Sequence, residues 1–277
     1  MKSFVKKMVK QMRKSSTVVA SSDISAALRR YPLVGMLGWQ DVRQRYRRSA
    51  LGPFWLTISM GVMIATIGIV FGKIFKSPMA DFLPFLTVGM ILWTFMSSVI
   101  SEGCLSFVAA EGVIKQLPLP LFIHVLRVVW RNFLILAHNI VIFPLVLIAV
   151  WKPIGFGALV SLPGLFVVIL NLSWVILILA VLCARYRDLP QIIASLLQVV
   201  FYLTPIMWLP NLLPQRAGIY LLVSNPLYHL IEIVRAPLLG QLPSALNWEV
   251  SIGLAVVGWL VALAVYGRYK LRIAYWL

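Results

Sequence analysis

Six stretches of this chain run for close to twenty residues or more without a charged side chain: Phe54–Gly72, Phe82–Ser101, Asn132–Trp151, Pro153–Ala184, Leu189–Gln215 and Val250–Gly267. A helix of about 20 apolar residues crosses the ~30 Å of hydrocarbon in a bilayer. None of the six shows the period-2 alternation of a barrel strand, so each is predicted to be a helix. Composition agrees: the chain is 61% hydrophobic and 12% charged, against ~45–50% and ~25% in an ordinary soluble domain. Disorder, collagen and coiled coil need polar, Gly-periodic or heptad sequences and are excluded. The fold class is therefore an all-α integral membrane protein with six transmembrane helices. The first run starts too far into the chain for a cleavable signal, and no small-residue cleavage pattern follows it.

Charge orients the spans. The chain carries 25 Lys and Arg against 8 Asp and Glu. Twenty of the basic residues fall before span one, between spans two and three, between four and five, or after six; only five fall on the other side. Positive residues stay on the cytoplasmic side, so both termini are expected there. This bias accounts for the net charge of +17 through anionic lipid, with no nucleic acid required. The chain divides into a basic segment at 1–24, an amphipathic interface helix at 25–53 and one membrane domain at 54–277.

Between spans five and six the chain is too apolar for a solvated loop, yet its pieces are too short to cross. Ala217–Ile231 has 15 uncharged residues and Ala236–Trp248 has 13, and Pro226, Pro237 and Pro243 interrupt them. Segments of that length read as re-entrant. A helical hairpin dipping in from the outer face over about 216–245 is expected. Backbone at that depth persists only when buried in protein or lining a watery cavity.

Chemistry of an enzymatic kind is missing. The closest stretch to a phosphate-cradling loop, Gly68–Ile74, is one residue short and lacks its Ser/Thr; Gly68 and Gly72 read better as a small-residue packing face. His124, His138 and His229 are scattered, and no metal site is expected. Cys104 and Cys183 read as isolated, inert thiols. No ionisable group sits at a span centre, so energy for any transport comes from elsewhere.

Three stretches can carry function. In the arm Leu33–Arg48, Trp39, Val42 and Tyr46 share one helical face, with Arg43, Arg47, Gln44 and Arg48 opposite. Asp41 and Arg45 stand four apart and can pair. Such a helix anchors to lipid, or its Arg45, Arg47 and Arg48 beside Tyr46 receive an anionic head group. Between spans two and three, Glu111, Gly112, Val113, Ile114, Lys115 and Gln116 form a short helix stopped by Pro118 and Pro120. It is either a solvated connector or a rigid element that transmits force. Aromatic residues collect near span ends: Phe54, Trp55, Phe71, Phe75, Trp93, Phe95, Phe201, Tyr202 and Trp208. They form interfacial belts, or a track on which sugar rings slide.

Four motifs in chain order resemble those of the type-2 ATP-binding-cassette exporter permeases. They are Arg45–Trp55 (RYRRSALGPFW) ahead of span one, Arg185–Asp188 (RYRD) after span four, Asn225–Gly240 (NPLYHLIEIVRAPLLG) and the ending Arg272–Leu277 (RIAYWL). The last is similar to the O-antigen and polysaccharide export branch. The resemblance implies a homodimer in the bacterial inner membrane that binds two separate ATPase subunits. ATP and Mg would be held by those partners, with no cofactor in this chain. The cargo would be a glycan on an undecaprenyl-diphosphate lipid. Under this resemblance Glu111–Gln116 couple to the ATPase, and the nine aromatics line the channel. Arg45, Tyr46, Arg47, Arg48, Arg185 and Arg187 would handle the diphosphate. Asn225, Pro226, Tyr228, His229, Glu232 and Arg235 would build the re-entrant segment. The same scaffold exporting another cargo (a teichoic-acid-like polymer, a lipid or a drug) is the alternative reading, and a membrane-embedded enzyme of glycan or lipid synthesis a more distant one.

Overall fold

The computed structural model describes residues 17–47, 52, 54–153, 155–210, 214 and 220–277. Among these the chain is helical, without a strand. Residues 17–29 form α1, followed by α2 (Tyr31–Tyr46), α3 (Phe54–Ile74), α4 (Met79–Cys104) and the short α5 (Glu111–Gln116). Then come α6 (Phe122–Asn139), α7 (Ile142–Ala149), a 3-10 turn (Phe156–Val160), α8 (Ser161–Arg185), α9 (Leu189–Leu203), α10 (Pro226–Leu238) and α11 (Ala245–Trp276).

Five of these units are long and apolar enough to span a bilayer: α3, α4, α6 with α7, the 3-10 turn with α8, and α11. The expected span Leu189–Gln215 differs. Its helix stops at Leu203 after 15 residues, about 22 Å at 1.5 Å per residue. Pro205 is the reason, because the residue before a proline is driven out of the helical region, and Thr204 is extended at ψ 135°.

The third span also departs from its expected bounds. Arg127 and Arg131, assigned to the connection before it, lie inside α6. The helix then breaks at Ile140 and Val141. Pro144 cannot donate to the carbonyl of Ile140 and its ring crowds that oxygen, so α7 starts afresh at Ile142.

Helix α4 is the axis of the bundle. It touches α3, α6, α7, α8, α9 and α10, and 78% of its apolar window is buried against 17% for α3. Helix α3 buries one stripe at four-residue spacing, Met60, Ile64, Gly68 and Gly72. A Cβ on Gly68 would stand 2.5 Å from Leu83, and one on Gly72 2.5 Å from the Met79 sulfur. The two glycines therefore let α3 and α4 approach closely, as small residues do between membrane helices. Helix α11 packs mainly on α8, where a side chain at Gly258 would overlap the Trp174 ring.

Candidate functional site

The basic end of the bundle holds a collar of paired charges. Helix α2 lies across α6 at Gly38, where a Cβ would come within 2.7 Å of Trp130. That contact sets Asp41 against two arginines one turn apart. Arg127 forks onto both Asp41 oxygens, with Nε donating at 2.7 Å. Arg131 donates from Nη1 to Asp41 at 3.1 Å and from Nη2 to Glu102 of α4 at 2.6 Å. Glu102 also accepts from Asn132 at 2.6 Å and from Arg45 at 2.9 Å. Bidentate guanidinium–carboxylate pairs are strong and directional, so the collar fixes α2, α4 and α6 against one another.

The arm therefore differs from the sequence expectation. Its buried residues are Val34, Gly38 and Val42, whereas Trp39 is 56% exposed. Asp41 and Arg45 each reach across to another helix. Arg47 is exposed; Arg48 and the side chain of Tyr46 lie outside the described residues.

A second knot, not anticipated from sequence, centres on Asp23 of α1. Its carboxylate accepts from the backbone N–H groups of Leu121 at 3.3 Å and Phe122 at 3.1 Å, capping α6 from another helix. Tyr266 of α11 donates to it at 2.6 Å, and Lys270 pairs with it at 2.7 Å. Only its position inside a basic, amphipathic segment could have singled it out.

At the same end, α5 has no buried residue and touches α11. Lys115 donates to Glu111 at 2.7 Å, and this bond holds the Glu111 carboxyl below the usual carboxylate range, with a smaller contribution from the charge of Arg187. Arg185 stacks over the rings of Tyr186 and Trp276 at 5.2 and 5.5 Å, and Arg187 donates to the Trp276 carbonyl at 3.4 Å. The motifs at 185–188 and 272–277 are one surface. Cys104, the last residue of α4, and Cys183, near the end of α8, are both buried free thiols.

The opposite end is built around α10. Pro226 opens it, and the Asn225 side chain caps it by accepting from Leu227 and Tyr228 while donating to Thr204 at 2.9 Å. Gly240, at φ +79°, ends it. Its buried residues include His229 and Arg235. His229 bridges Asn247 at 2.8 Å and the Val223 carbonyl at 3.0 Å. Arg235, expected in the re-entrant segment, is fully buried. It donates to the Pro205 carbonyl and to Glu232, both at 2.6 Å, and lies 4.0 Å over the Phe85 ring. These contacts fall near the starts of α4 and α11 and the end of α9. Gly164, near the start of α8, meets the Ile233 carbonyl. The part of the expected hairpin at 216–219 lies outside the described residues.

The nine aromatics separate into groups. Phe54, Trp55 and Tyr202 are exposed. Phe71 and Phe75 are half-buried beside Phe82, and Phe201 is half-buried between Trp93 and Tyr202. Trp208, also half-buried, donates to the Tyr202 carbonyl at 3.1 Å. Trp93 and Phe95 are buried within the single chain. Helix α9 adds a feature that the aromatic residues alone do not show. It has no buried residue, and its exposed Gln191, Ser195, Gln198 and Tyr202 follow one another at helical spacings of four, three and four. They make a polar stripe along an otherwise apolar helix.

Membrane-length helices, a charge-paired collar at one end and a short capped helix buried at the other define a multi-pass membrane protein. Among the described residues no His, Cys, Asp or Glu cluster could hold a metal. The chain belongs to the ABC-2 type transporter family, whose pattern it matches over residues 32–239. It is 24% identical over 255 residues to an O-antigen export system permease protein RfbA of Klebsiella pneumoniae, covering 88% of this chain and 94% of that one. An RfbA of Myxococcus xanthus is 23% identical over 206 residues, 71% of this chain and 76% of its own. The polysialic acid transport protein KpsM of Escherichia coli is 22% identical over 238 residues, 82% and 89% respectively.

Proposed function

We propose that this chain is the membrane-spanning subunit of an ATP-driven exporter that carries a lipid-linked polysaccharide out of the bacterial cytoplasm. Two copies enclose the passage in the inner membrane, with their termini in the cytoplasm. Two partner ATPases bind ATP and Mg and seat against α5. Relatives named for O-antigen export and polysialic acid transport support the cargo class.

The observation that carries the reading is the polar stripe Gln191–Ser195–Gln198–Tyr202 on α9. Polar side chains facing lipid are costly, whereas those facing a wet cavity are satisfied. A polysaccharide is clothed in hydroxyls, each of which loses a few kcal/mol if stripped of water without a new partner. A passage between the exposed faces of α3 and α9 of two protomers offers amides and hydroxyls, with Phe54, Trp55 and Tyr202 as flat surfaces for sugar rings. Trp93 and Phe95 stand behind that wall as support.

The charged end of the cargo needs cations. Arg127 and Arg131 are committed to Asp41 and Glu102, and Arg45 shares Glu102 with Arg131; Arg47, Arg185 and Arg187 stand at the same basic end to lower the diphosphate's desolvation cost. At the outer end α10 forms the re-entrant element. Helix α9 arrives at that end and α11 leaves from it, so the segment joining them returns to the side it started from.

The reading is tested in a strain lacking this chain. Surface polysaccharide should disappear and lipid-linked glycan should accumulate inside, both reversed by the wild-type chain. Unchanged surface polysaccharide would overturn it.

A further inference from the structure

Where α1 meets α2 the chain leaves an apolar groove of about 480 Å³, within the range of small-molecule sites, ~300–1,000 Å³. One wall is Leu28, Tyr31 and Gly35; the other is Val129, Trp130 and Phe133 of α6. With Leu126, the α6 residues follow at spacings of three, one and three, a single stripe about 10 Å long. Ile169 of α8 closes the far end. The groove thus runs from the basic end of the bundle into the depth of its spans. Its wall is preformed: Trp130 stacks on Phe133 with centroids 5.7 Å apart, and α2 presses on Trp130 at Gly38.

The mouth carries charge. Arg29 and Arg30 sit in sequence between the lining residues Leu28 and Tyr31; both are exposed, and among the described residues neither side chain has a hydrogen-bond or ion-pair partner. The contrast with Arg127 and Arg131, locked into carboxylates, is plain. Two exposed arginines next in sequence to the residues that line a greasy slot match a molecule with an anionic head and a hydrocarbon tail. Guanidinium forks suit phosphate oxygens, and a basic residue near an anionic membrane surface contributes attraction.

We infer that this groove is a binding site for an anionic phospholipid of the bilayer, its phosphate on Arg29 and Arg30 and one acyl chain between α2 and α6. The site is separate from the passage, because it lies on α1, α2, α6 and α8 rather than on α3 and α9. It depends on membrane embedding and not on the identity of the cargo. Its role is to seat α1 and α2, and with them the Asp23 knot and the Asp41 collar, against the spans.

Gly35 provides a clean probe. A Cβ there meets nothing within 4 Å, so Gly35→Leu starts a side chain into the open groove, and Leu is the better helix former. The full-length chain, delipidated in detergent, is titrated with phosphatidylglycerol or phosphatidylcholine, and bound lipid is counted by native mass spectrometry. The wild type should hold one phosphatidylglycerol per chain, preferred over phosphatidylcholine by roughly tenfold. Arg29→Gln with Arg30→Gln should abolish the preference. Gly35→Leu should abolish retention while melting normally. Equal retention of the two lipids by the wild type, or full retention by Gly35→Leu, would overturn the site. So would displacement by equimolar undecaprenyl diphosphate, which would assign the groove to the cargo's carrier. Increased retention after deletion of residues 1–16 would assign it to that segment instead.

Discussion

Tyr266 donates its hydroxyl to Asp23 over 2.6 Å, joining the first described helix of the chain to the last. The carboxylate also caps α6 and pairs with Lys270, so one buried side chain ties three elements together. Asp23→Ala leaves a buried phenol, two helix N–H groups and an ammonium without their acceptor. Loss of one partner from such a buried set costs about 3 kcal/mol, roughly a 5–10 °C fall in melting temperature for a chain of this size. Asp23→Asn keeps an acceptor oxygen and should fall between wild type and Asp23→Ala. Tryptophan-fluorescence melting in detergent measures both; equal melting of all three proteins would remove Asp23 from this role.

Arg131 binds Asp41 and Glu102 together, and the collar predicts non-additivity. Asp41→Asn and Glu102→Gln share this guanidinium, so the double variant should be less destabilised than the sum of the singles, by about 1–2 kcal/mol. Arg45→Ala should cost less than either, because Arg45 is half exposed on its contact with Glu102. Strict additivity in chemical denaturation would mean that the two carboxylates act independently.

Glu111 and Lys115 sit on an exposed helix, and an exposed pair contributes little to stability. Glu111→Ala and Lys115→Ala should therefore leave melting unchanged. If α5 couples to the partner ATPase, both should lower export and the stimulation of ATP hydrolysis by this chain. Because Lys115 holds the Glu111 carboxyl below its ordinary range, the pair stays ionised through neutral pH and is lost only as pH falls through that lowered value. Coupling should not weaken on mild acidification. Wild-type export by both variants would make α5 a plain connector.

Five of the six expected spans were legible because uncharged length is a local property, and Gly68 and Gly72 were legible because small residues four apart have one packing meaning. The helical extent of α6 was not. Arg127 and Arg131 look like the end of a span when counted by charge, yet they continue the helix because Asp41 and Glu102 neutralise them. Asp41 lies 86 residues before Arg127 in sequence, and Asp23 lies 98 before Leu121; no window of local pattern holds such partners. The partners of Arg235 were hidden for the same reason. Its burial is sustained by a carbonyl 30 residues away and an aromatic face on α4. The aromatic search found rings but not the amides between them, since the α9 stripe becomes informative only once that helix is seen to have no buried side.

That stripe gives the sharpest test of where the passage runs. The side chains of Gln191 and Gln198 are exposed and have no hydrogen-bond partner among the described residues, so replacing them removes no hydrogen bond described there. If α9 faced lipid, Gln→Leu would improve the helix's partition, because Leu is favourable in the bilayer and an exposed amide is not. Export would then hold steady or rise. If α9 lines a hydrated passage, Gln191→Leu with Gln198→Leu strips two hydrogen-bonding groups from a wall along which sugar hydroxyls must slide. Losing them at 1–3 kcal/mol for each unmatched polar group slows transit by roughly tenfold or more, with chain abundance and melting unchanged. The two settings give opposite signs, so surface polysaccharide measured in the deletion strain, complemented by either the wild type or the double variant, separates them.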